Sequence, residues 1–114
     1  MKELFERAKE LNKRSSLMNG REKGENIEIL DETVTLNNYE FLKDESGETY
    51  AVYTVKEIEN AFFFGGRDLS QKLLMLDEEG YKEEIKNQGL PMKLHNSRSK
   101  KGRKFYIVEF LPKE

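Results

Sequence analysis

The chain of 114 residues has no cysteine and no tryptophan, only two prolines and a single histidine, His95. The absence of cysteine excludes disulfide bonds, thiolate catalysis, zinc ribbons and iron–sulfur clusters. Apolar runs fall short of the about 18 residues that predict a membrane-spanning helix, and the N-terminal residues lack the apolar segment of a signal peptide. We therefore expect a cytoplasmic protein that does not enter a membrane.

Charged residues, in contrast, are abundant and unevenly distributed along the chain. They make up 37% of the residues, against about 25% in a typical globular domain. The net charge is +3 over residues 1–24, −10 over residues 25–90 and +5 over residues 91–114. Such asymmetry is typical of a protein with a charged partner, although solvated faces of mixed sign give the same pattern.

The N-terminal segment has the pattern of an amphipathic helix. One stripe at steps of four and three, which predicts a helix over residues 2–18, consists of Leu4, Ala8, Leu11, Ser15 and Met18. Its apolar stripe is narrow and a polar segment follows it, so we expect the helix to be peripheral or to serve as a dimerisation arm. The predicted organisation is an N-terminal helix and linker over residues 1–24 and one domain over residues 25–114.

Apolar and polar residues then alternate, which is the period of a half-buried β-strand. This pattern predicts strands within residues 26–42 and 61–64, and the β-branched and aromatic run Thr49–Val55 predicts another. The polar segment 43–48 contains a glycine and predicts a hairpin turn.

Three consecutive phenylalanines occupy the predicted strand at 61–64. Neighbouring residues of a strand point to opposite faces of the sheet. We therefore expect Phe62 and Phe64 to be buried in the core and Phe63 to lie on the other face.

Residues Leu69–Gln88 are predicted to be helical, after a tight turn at Gly65-Gly66. Asp68 is placed to cap this helix, because Gln71 completes the spacing of a capping box. Gly80 interrupts the helical pattern, and the glycine and proline that follow residue 88 end it.

Two more strands are predicted, over residues 90–94 and 105–111. The last is apolar on both faces except at Glu109, which is typical of a strand inside a sheet. The predicted fold class is α+β, with a mainly antiparallel sheet or a partly closed small barrel and the helix Leu69–Gln88 packed on one face.

No catalytic or metal site assembles from the sequence. His95 lies near Ser97 and Ser99, but a Ser–His pair also needs an orienting acid and an oxyanion site. The acidic runs 77–79 and 83–84 lie among polar residues, whereas carboxylate catalysis needs one member in an apolar pocket. Neither run has the spacing of a calcium loop. We therefore predict a non-enzymatic protein without a metal or a cofactor.

The most distinctive segment is a basic loop that leads directly into two aromatic residues. Because cations contact phosphates and rings stack on bases, it predicts binding of single-stranded nucleic acid. A solvated loop whose lysines discourage pairing between sheet edges is the alternative. We expect phosphate contacts from the basic residues and stacking from whichever ring faces outward. The candidate site comprises Arg98, Lys100, Lys101, Arg103, Lys104, Phe105 and Tyr106.

Four segments resemble a known group of proteins. They are Tyr50–Val55, Phe62–Gly66, Leu69–Leu76 and Lys100–Glu109. The chain resembles, across residues 25–111, small proteins encoded by phages and conjugative elements of Gram-positive bacteria. Some of those proteins have been treated as candidate single-stranded DNA-associated proteins. The resemblance implies such a role here and supplies no catalytic residues.

A second hypothesis takes the acidic helix as the functional surface. A pI of 5.6 and the charge of residues 25–90 would repel nucleic acid unless charges of opposite sign lie on separate faces. Residues Asp77–Glu84 would instead bind a basic protein partner, such as a host nucleic-acid enzyme. Loop cations clustered with aromatic residues on one concave surface would favour nucleic acid. An apolar or acidic patch elsewhere would favour the protein partner.

Overall fold

The computed structural model of the protein describes Leu4 and residues 16–18, 20–98, 102 and 104–111. The predicted N-terminal helix lies almost entirely outside these residues, although Leu4 is helical and Ser16–Met18 forms a 3-10 turn. Among the described residues, no helix combines the length and the apolar character needed to cross a bilayer.

Between residues 20 and 111 the described chain forms six strands and two α-helices, which confirms the α+β class. The six strands share one sheet in the order β1-β4-β3-β2-β5-β6, in which only the β1–β4 pair is parallel. The elements are β1 (Glu22–Lys23), β2 (Thr33–Lys43), β3 (Thr49–Val55), β4 (Ile58–Phe64), α1 (Arg67–Glu78), α2 (Lys82–Gln88), β5 (Leu90–Arg98) and β6 (Lys104–Phe110).

The described sheet is mainly antiparallel, as predicted, and it is open rather than closed into a barrel. Its edges are β1 and β6. The edge position of β6 contradicts the prediction of an interior strand. The prediction was wrong because an edge strand can also be apolar on both faces when another element covers it. In this protein α1 lies against β6.

The polar turn between β2 and β3 is organised by Asp44. The Ser46 hydroxyl donates a hydrogen bond of 2.6 Å to its carboxylate, and the backbone amides of Ser46 and Glu48 donate two more. The Ser46 hydroxyl, followed by these amides, lowers the pKa of the Asp44 carboxyl below its usual value. The predicted hairpin therefore forms around a side-chain hydrogen-bond acceptor as well as a glycine.

The helices pack on one face of the sheet, where the core lies. Burial of Leu69, Leu73 and Ile85 anchors the two helices, and each fully buried side chain of this size contributes about 1.5–3 kcal/mol. Gly80, with a positive φ of 87°, separates α1 from α2 at the predicted interruption. The buried sheet residues facing them include Val34, Leu36, Tyr39, Ala51, Tyr53, Val55, Phe63, Met92, Leu94 and Val108.

Residues 17, 18 and 20–24 also belong to the folded structure. The turn Ser16–Met18 lies against β2, β3 and β4, and Leu17 is buried. The Arg21 side chain donates hydrogen bonds to the carbonyl oxygens of Leu17 and Glu59. The backbone amide of Gly24 donates to the Phe62 carbonyl at 2.8 Å. These contacts fasten the described residues between 16 and 24 to the sheet.

The three phenylalanines of β4 alternate as predicted, but the buried face is the opposite one. Phe63 is fully buried and stacks on Tyr53 with 5.4 Å between ring centroids. Phe62 and Phe64 lie together on the other face, with 5.6 Å between their ring centroids, and both are only partly buried. The prediction that Phe62 and Phe64 form the core is therefore wrong. The period places alternate residues on opposite faces, and the contact of Phe63 with Tyr53 determines which face is covered.

Two local predictions also differ from the structure. Asn26–Ile29 forms a 3-10 helix instead of a strand, and the Glu28 side chain accepts a hydrogen bond from the Glu25 amide at its start. Asp68 does not cap α1, because Gly66 occupies the cap position and Asp68 lies inside the first turn. Its carboxylate instead accepts a hydrogen bond from the Val108 amide.

Candidate nucleic-acid interface

The basic loop is carried by the hairpin of β5 and β6. The ladder runs from Met92 opposite Phe110 to Arg98 opposite Lys104, so the backbones of these two basic residues form its final pair. Gly102 has a φ of +80°, a conformation that glycine adopts without strain. Lys100, Lys101 and Arg103 lie outside the described residues, and of the five basic site residues only the backbones of Arg98 and Lys104 are described.

The two aromatic residues at the base of the loop differ in exposure. Phe105 is 41% exposed, whereas Tyr106 is partly buried. Tyr106 shares the parity of Val108 in β6 and therefore lies on the helix side of the sheet. The pKa of the Tyr53 hydroxyl is raised above its usual value, mainly because the hydroxyl is buried and also because Tyr106 lies nearby. Of the two rings, Phe105 is the one available for stacking.

A groove of about 380 Å³ lies between the start of α1 and the start of β6. Gly66 and Arg67 form one wall, and Phe105 and Tyr106 form the other. Arg67 is exposed and adds a cation that the sequence analysis did not assign to the site. Its only signal in the sequence is its place directly after Gly65-Gly66 at a helix start. The fold therefore brings Phe105 together with a residue 38 positions earlier in the chain.

Asp68 also borders this groove, and its negative charge is compensated. Its carboxylate oxygen Oδ2 lies 3.0 Å from the ammonium of Lys72 and accepts the Val108 amide at 2.9 Å. The same ammonium donates to the Val108 carbonyl oxygen at 2.7 Å. These bonds fix α1 against β6 and reduce the repulsion that the carboxylate would exert on a phosphate.

His95, the single histidine, is held between two carboxylates on the sheet face opposite the helices. Its Nδ1 lies 3.3 Å from Asp31 and its Nε2 lies 3.2 Å from Glu109. Asp31 has a φ of +59°, a conformation that aspartate tolerates better than most residues, and its amide donates to the Leu94 carbonyl. Both ring nitrogens thus have acidic partners, and the histidine ties Asp31, two residues before β2, to β5 and β6.

The acidic segment predicted as the alternative surface lies at the far end of α1. Glu78, Glu79, Glu83 and Glu84 are exposed there, and Asp77 accepts a hydrogen bond of 2.8 Å from the Tyr39 hydroxyl. Burial, followed by this bond to Asp77, raises the pKa of the Tyr39 hydroxyl. Within the described part of the chain, no group of three or more acidic, histidine or cysteine side chains is arranged to hold a metal ion.

Comparisons of the chain with protein-family models, with curated proteins and with solved structures find no match. Function depends on the chemistry of a site rather than on the fold that carries it. Two described surfaces have chemistry suited to a charged partner. They are the groove beside Phe105 and the acidic end of α1.

Proposed function

We propose that the protein is a non-enzymatic module, of phage or mobile-element origin, that binds single-stranded nucleic acid at the base of the β5–β6 hairpin. The observation that carries the proposal is the exposed ring of Phe105 in a groove with Arg67, directly after the basic loop. Stacking on an aromatic ring tolerates any base sequence and contributes about 1–3 kcal/mol per base. Single strands fit this site better than duplex, because only unpaired bases can stack on a protein ring.

Cations near the groove supply the phosphate contacts. Arg67 lies in the groove, and the basic residues from Arg98 to Lys104 precede Phe105 in the chain. Each phosphate contact with a single strand releases counterions and gives a slope of about −0.7 in log affinity against log salt. Three to five engaged cations would thus give a slope of roughly −2 to −3.5.

The exposed carboxylates at the end of α1 do not oppose this proposal, because they lie away from the groove. α1 has 12 residues and is therefore about 18 Å long. The groove lies at its N-terminal end, and the carboxylates of Glu78 and Glu79 lie at its C-terminal end. That distance exceeds the Debye length of about 8 Å at physiological salt, so repulsion between these carboxylates and a bound strand is largely screened.

Salt-titrated fluorescence anisotropy with a labelled single strand of about 20 nucleotides tests the charge contribution, since that length exceeds the usual site size. Lys100→Ala with Lys101→Ala should make the salt slope shallower by about 1.4. The matched control is Lys56→Ala with Lys86→Ala, which removes two exposed lysines away from the groove and should leave the slope unchanged.

The stacking contribution is tested separately by Phe105→Ala. Loss of one stack should weaken binding by about 1–3 kcal/mol with no change in the salt slope, because no charge is removed. Tyr81→Ala removes a ring of similar exposure at the other end of α1 and should leave affinity unchanged. Undetectable binding of the strand at low salt, or tighter binding of duplex than of single strand, would show that the proposal is wrong.

A further inference from the structure

A second concave surface lies at the opposite end of α1 from the groove. It is an apolar pocket of about 220 Å³ between the end of α1, helix α2 and the adjoining ends of β5 and β6. Ligand sites for cofactors and drug-sized molecules usually occupy about 300–1,000 Å³. A pocket smaller than that range suits a single side chain. Its walls include Leu76, Tyr81, Ile85, Leu90 and Phe110, and Glu84 stands at its border.

The surroundings of this pocket are acidic. Residues 77–88 contain five carboxylates and two lysines, which gives a net charge of −3. One of the lysines, Lys82, is turned inward, since its ammonium donates to the Tyr39 carbonyl oxygen at 2.9 Å and lies 4.8 Å from the centre of the Tyr39 ring. The exposed charges that remain are those of Lys86 and of the carboxylates Glu78, Glu79, Glu83 and Glu84.

The direction of α1 strengthens this negative potential. The C-terminal end of a helix carries a partial negative charge, so basic residues are favourable there and acidic residues unfavourable. Every residue of α1 is described, and its last turn has no basic residue although it includes Asp77 and Glu78. The protein therefore keeps carboxylates where they oppose the helix, and a cation placed beside them would be bound more tightly than by either feature alone.

We propose that this surface docks a positively charged segment of a partner protein, with one apolar side chain of that segment inserted in the pocket. Binding hot spots are side chains that insert into well-packed pockets, and complementary charge around such a pocket gives specificity and speeds association. Tyr81, which is 42% exposed, forms the outer wall and would cover the anchor. The surface repels nucleic acid, so it is distinct from the groove beside Phe105 in both ligand and position.

A synthetic helical peptide of about 15 residues provides the probe, a length that allows several helical turns. Leucines recur in it at every third and fourth position, and lysines fill the other positions. Binding is measured by fluorescence anisotropy, and amide chemical shifts of the full chain locate the peptide. Peptides with glutamate in place of lysine, or serine in place of leucine, should not bind, because the first loses the charge complementarity and the second loses the anchor.

Variants of the protein separate charge from shape. Glu83→Lys with Glu84→Lys should weaken binding of the basic peptide about tenfold or more, and Tyr81→Ala should weaken it by a similar factor. The matched control is Glu45→Lys with Glu48→Lys, which makes the same charge change at the exposed β2–β3 turn and should have little effect. Circular dichroism shows whether each variant is folded, and Phe105→Ala should bind the peptide as the parent chain does.

Three results would overturn the proposal. The first is no saturable binding of the basic peptide at low salt. The second is equal weakening by the α2 charge reversal and by its control at the β2–β3 turn, which would indicate attraction to overall charge. The third is self-association of the chain, measured by sedimentation and abolished by Glu83→Lys with Glu84→Lys, which would make a second copy the occupant of the pocket.

Discussion

Phe63 fills the centre of the described core, where it contacts Tyr53 and leaves no room for a side chain at Gly24. A Cβ atom at Gly24 would stand 2.5 Å from the ring of Phe63. Phe63→Ala should lower the free energy of unfolding by about 3–5 kcal/mol, a large part of the 5–15 kcal/mol that a domain has. Phe62→Ala and Phe64→Ala should cost less, because both rings are partly exposed. Urea unfolding of the three variants gives the ranking, and equal losses at all three would contradict this account of β4.

The hydroxyl group of Tyr39 allows the contribution of a single hydrogen bond to stability to be measured. Its hydroxyl donates to the carboxylate of Asp77, and its backbone carbonyl accepts from Lys82. Tyr39→Phe keeps the ring and removes only the bond to Asp77. Because hydrogen bonds to charged groups contribute about 1.5–3 kcal/mol, the variant should lose that amount of stability in urea with an unchanged m-value. A loss below 0.5 kcal/mol, on the order of a surface substitution, would mean that water replaces the bond without cost.

The sequence predicts the local arrangement of residues within a strand better than it predicts which face of that strand is buried. The alternation in Phe62, Phe63 and Phe64 shows that the rings point to opposite faces, and the structure confirms it. All three residues are equally apolar, so nothing in their own identity selects the buried face. The choice depends on Tyr53, which lies on a different strand. Burial is thus fixed by contacts between strands that the period of one strand cannot specify.

At the scale of helices and strands, one predicted feature is confirmed and another is wrong. The break between α1 and α2 was predictable, because Gly80 adopts a positive φ that other residues avoid. The strand predicted around Ile27 and Ile29 is instead a 3-10 helix, since two alternating residues are too few to outweigh the hydrogen bond between Glu28 and the Glu25 amide. A glutamate three residues after another polar residue was the available signal.

The candidate site shows how topology adds residues to a sequence motif. Phe105 and the basic loop are contiguous in the chain, so the sequence was sufficient to associate them. Arg67 lies in the same groove as Phe105 because the Val108 amide donates a hydrogen bond to Asp68. This bond fixes the start of α1 at the edge of β6. No spacing rule predicts a contact of that kind between a helix and a strand so far apart in sequence.

Helix α1 ends in carboxylates that oppose its own dipole, which leads to a prediction for stability. Glu78→Lys should raise the free energy of unfolding by about 0.3–1 kcal/mol, because a cation is favourable in the last turn of a helix. Glu45→Lys makes the same charge change in a turn and serves as the control for overall charge. Thermal unfolding at low salt measures both, and an equal rise in Tm for the two variants would attribute the effect to net charge. The stabilised variant should bind the basic peptide more weakly.

At the scale of the whole molecule, the chain separates its two proposed ligands by charge. The groove between Arg67 and Phe105 lies at one end of α1, and the exposed carboxylates and the apolar pocket lie at the other. A nearly neutral protein can therefore attract a polyanion and a polycation at different surfaces. A strand of nucleic acid and a basic protein segment would then bind at the same time.

The whole-molecule fold also predicts where the chain can be shortened. Removing residues 1–24 deletes the buried Leu17 and the parallel pairing of β1 with β4, whereas removing residues 1–15 keeps both. The shorter chain should therefore lose at least about 1.5–3 kcal/mol relative to the chain that starts at residue 16, which is the contribution of one buried leucine. Urea unfolding compares the two, and equal stability would place the domain boundary after residue 24.

The bonds between α1 and the outer edge of β6 also help to set the register of the β5–β6 hairpin. Asp68 and Lys72 bind the Val108 amide and carbonyl, and the pairing of Leu94 with Val108 holds the register of the hairpin from the other side. The segment between Arg98 and Lys104 is therefore not needed to align the strands. Doubling the length of such a loop costs only about 0.6 kcal/mol. We therefore expect the hairpin to act as a cassette, in which loops of different length and sequence can be exchanged on an unchanged scaffold.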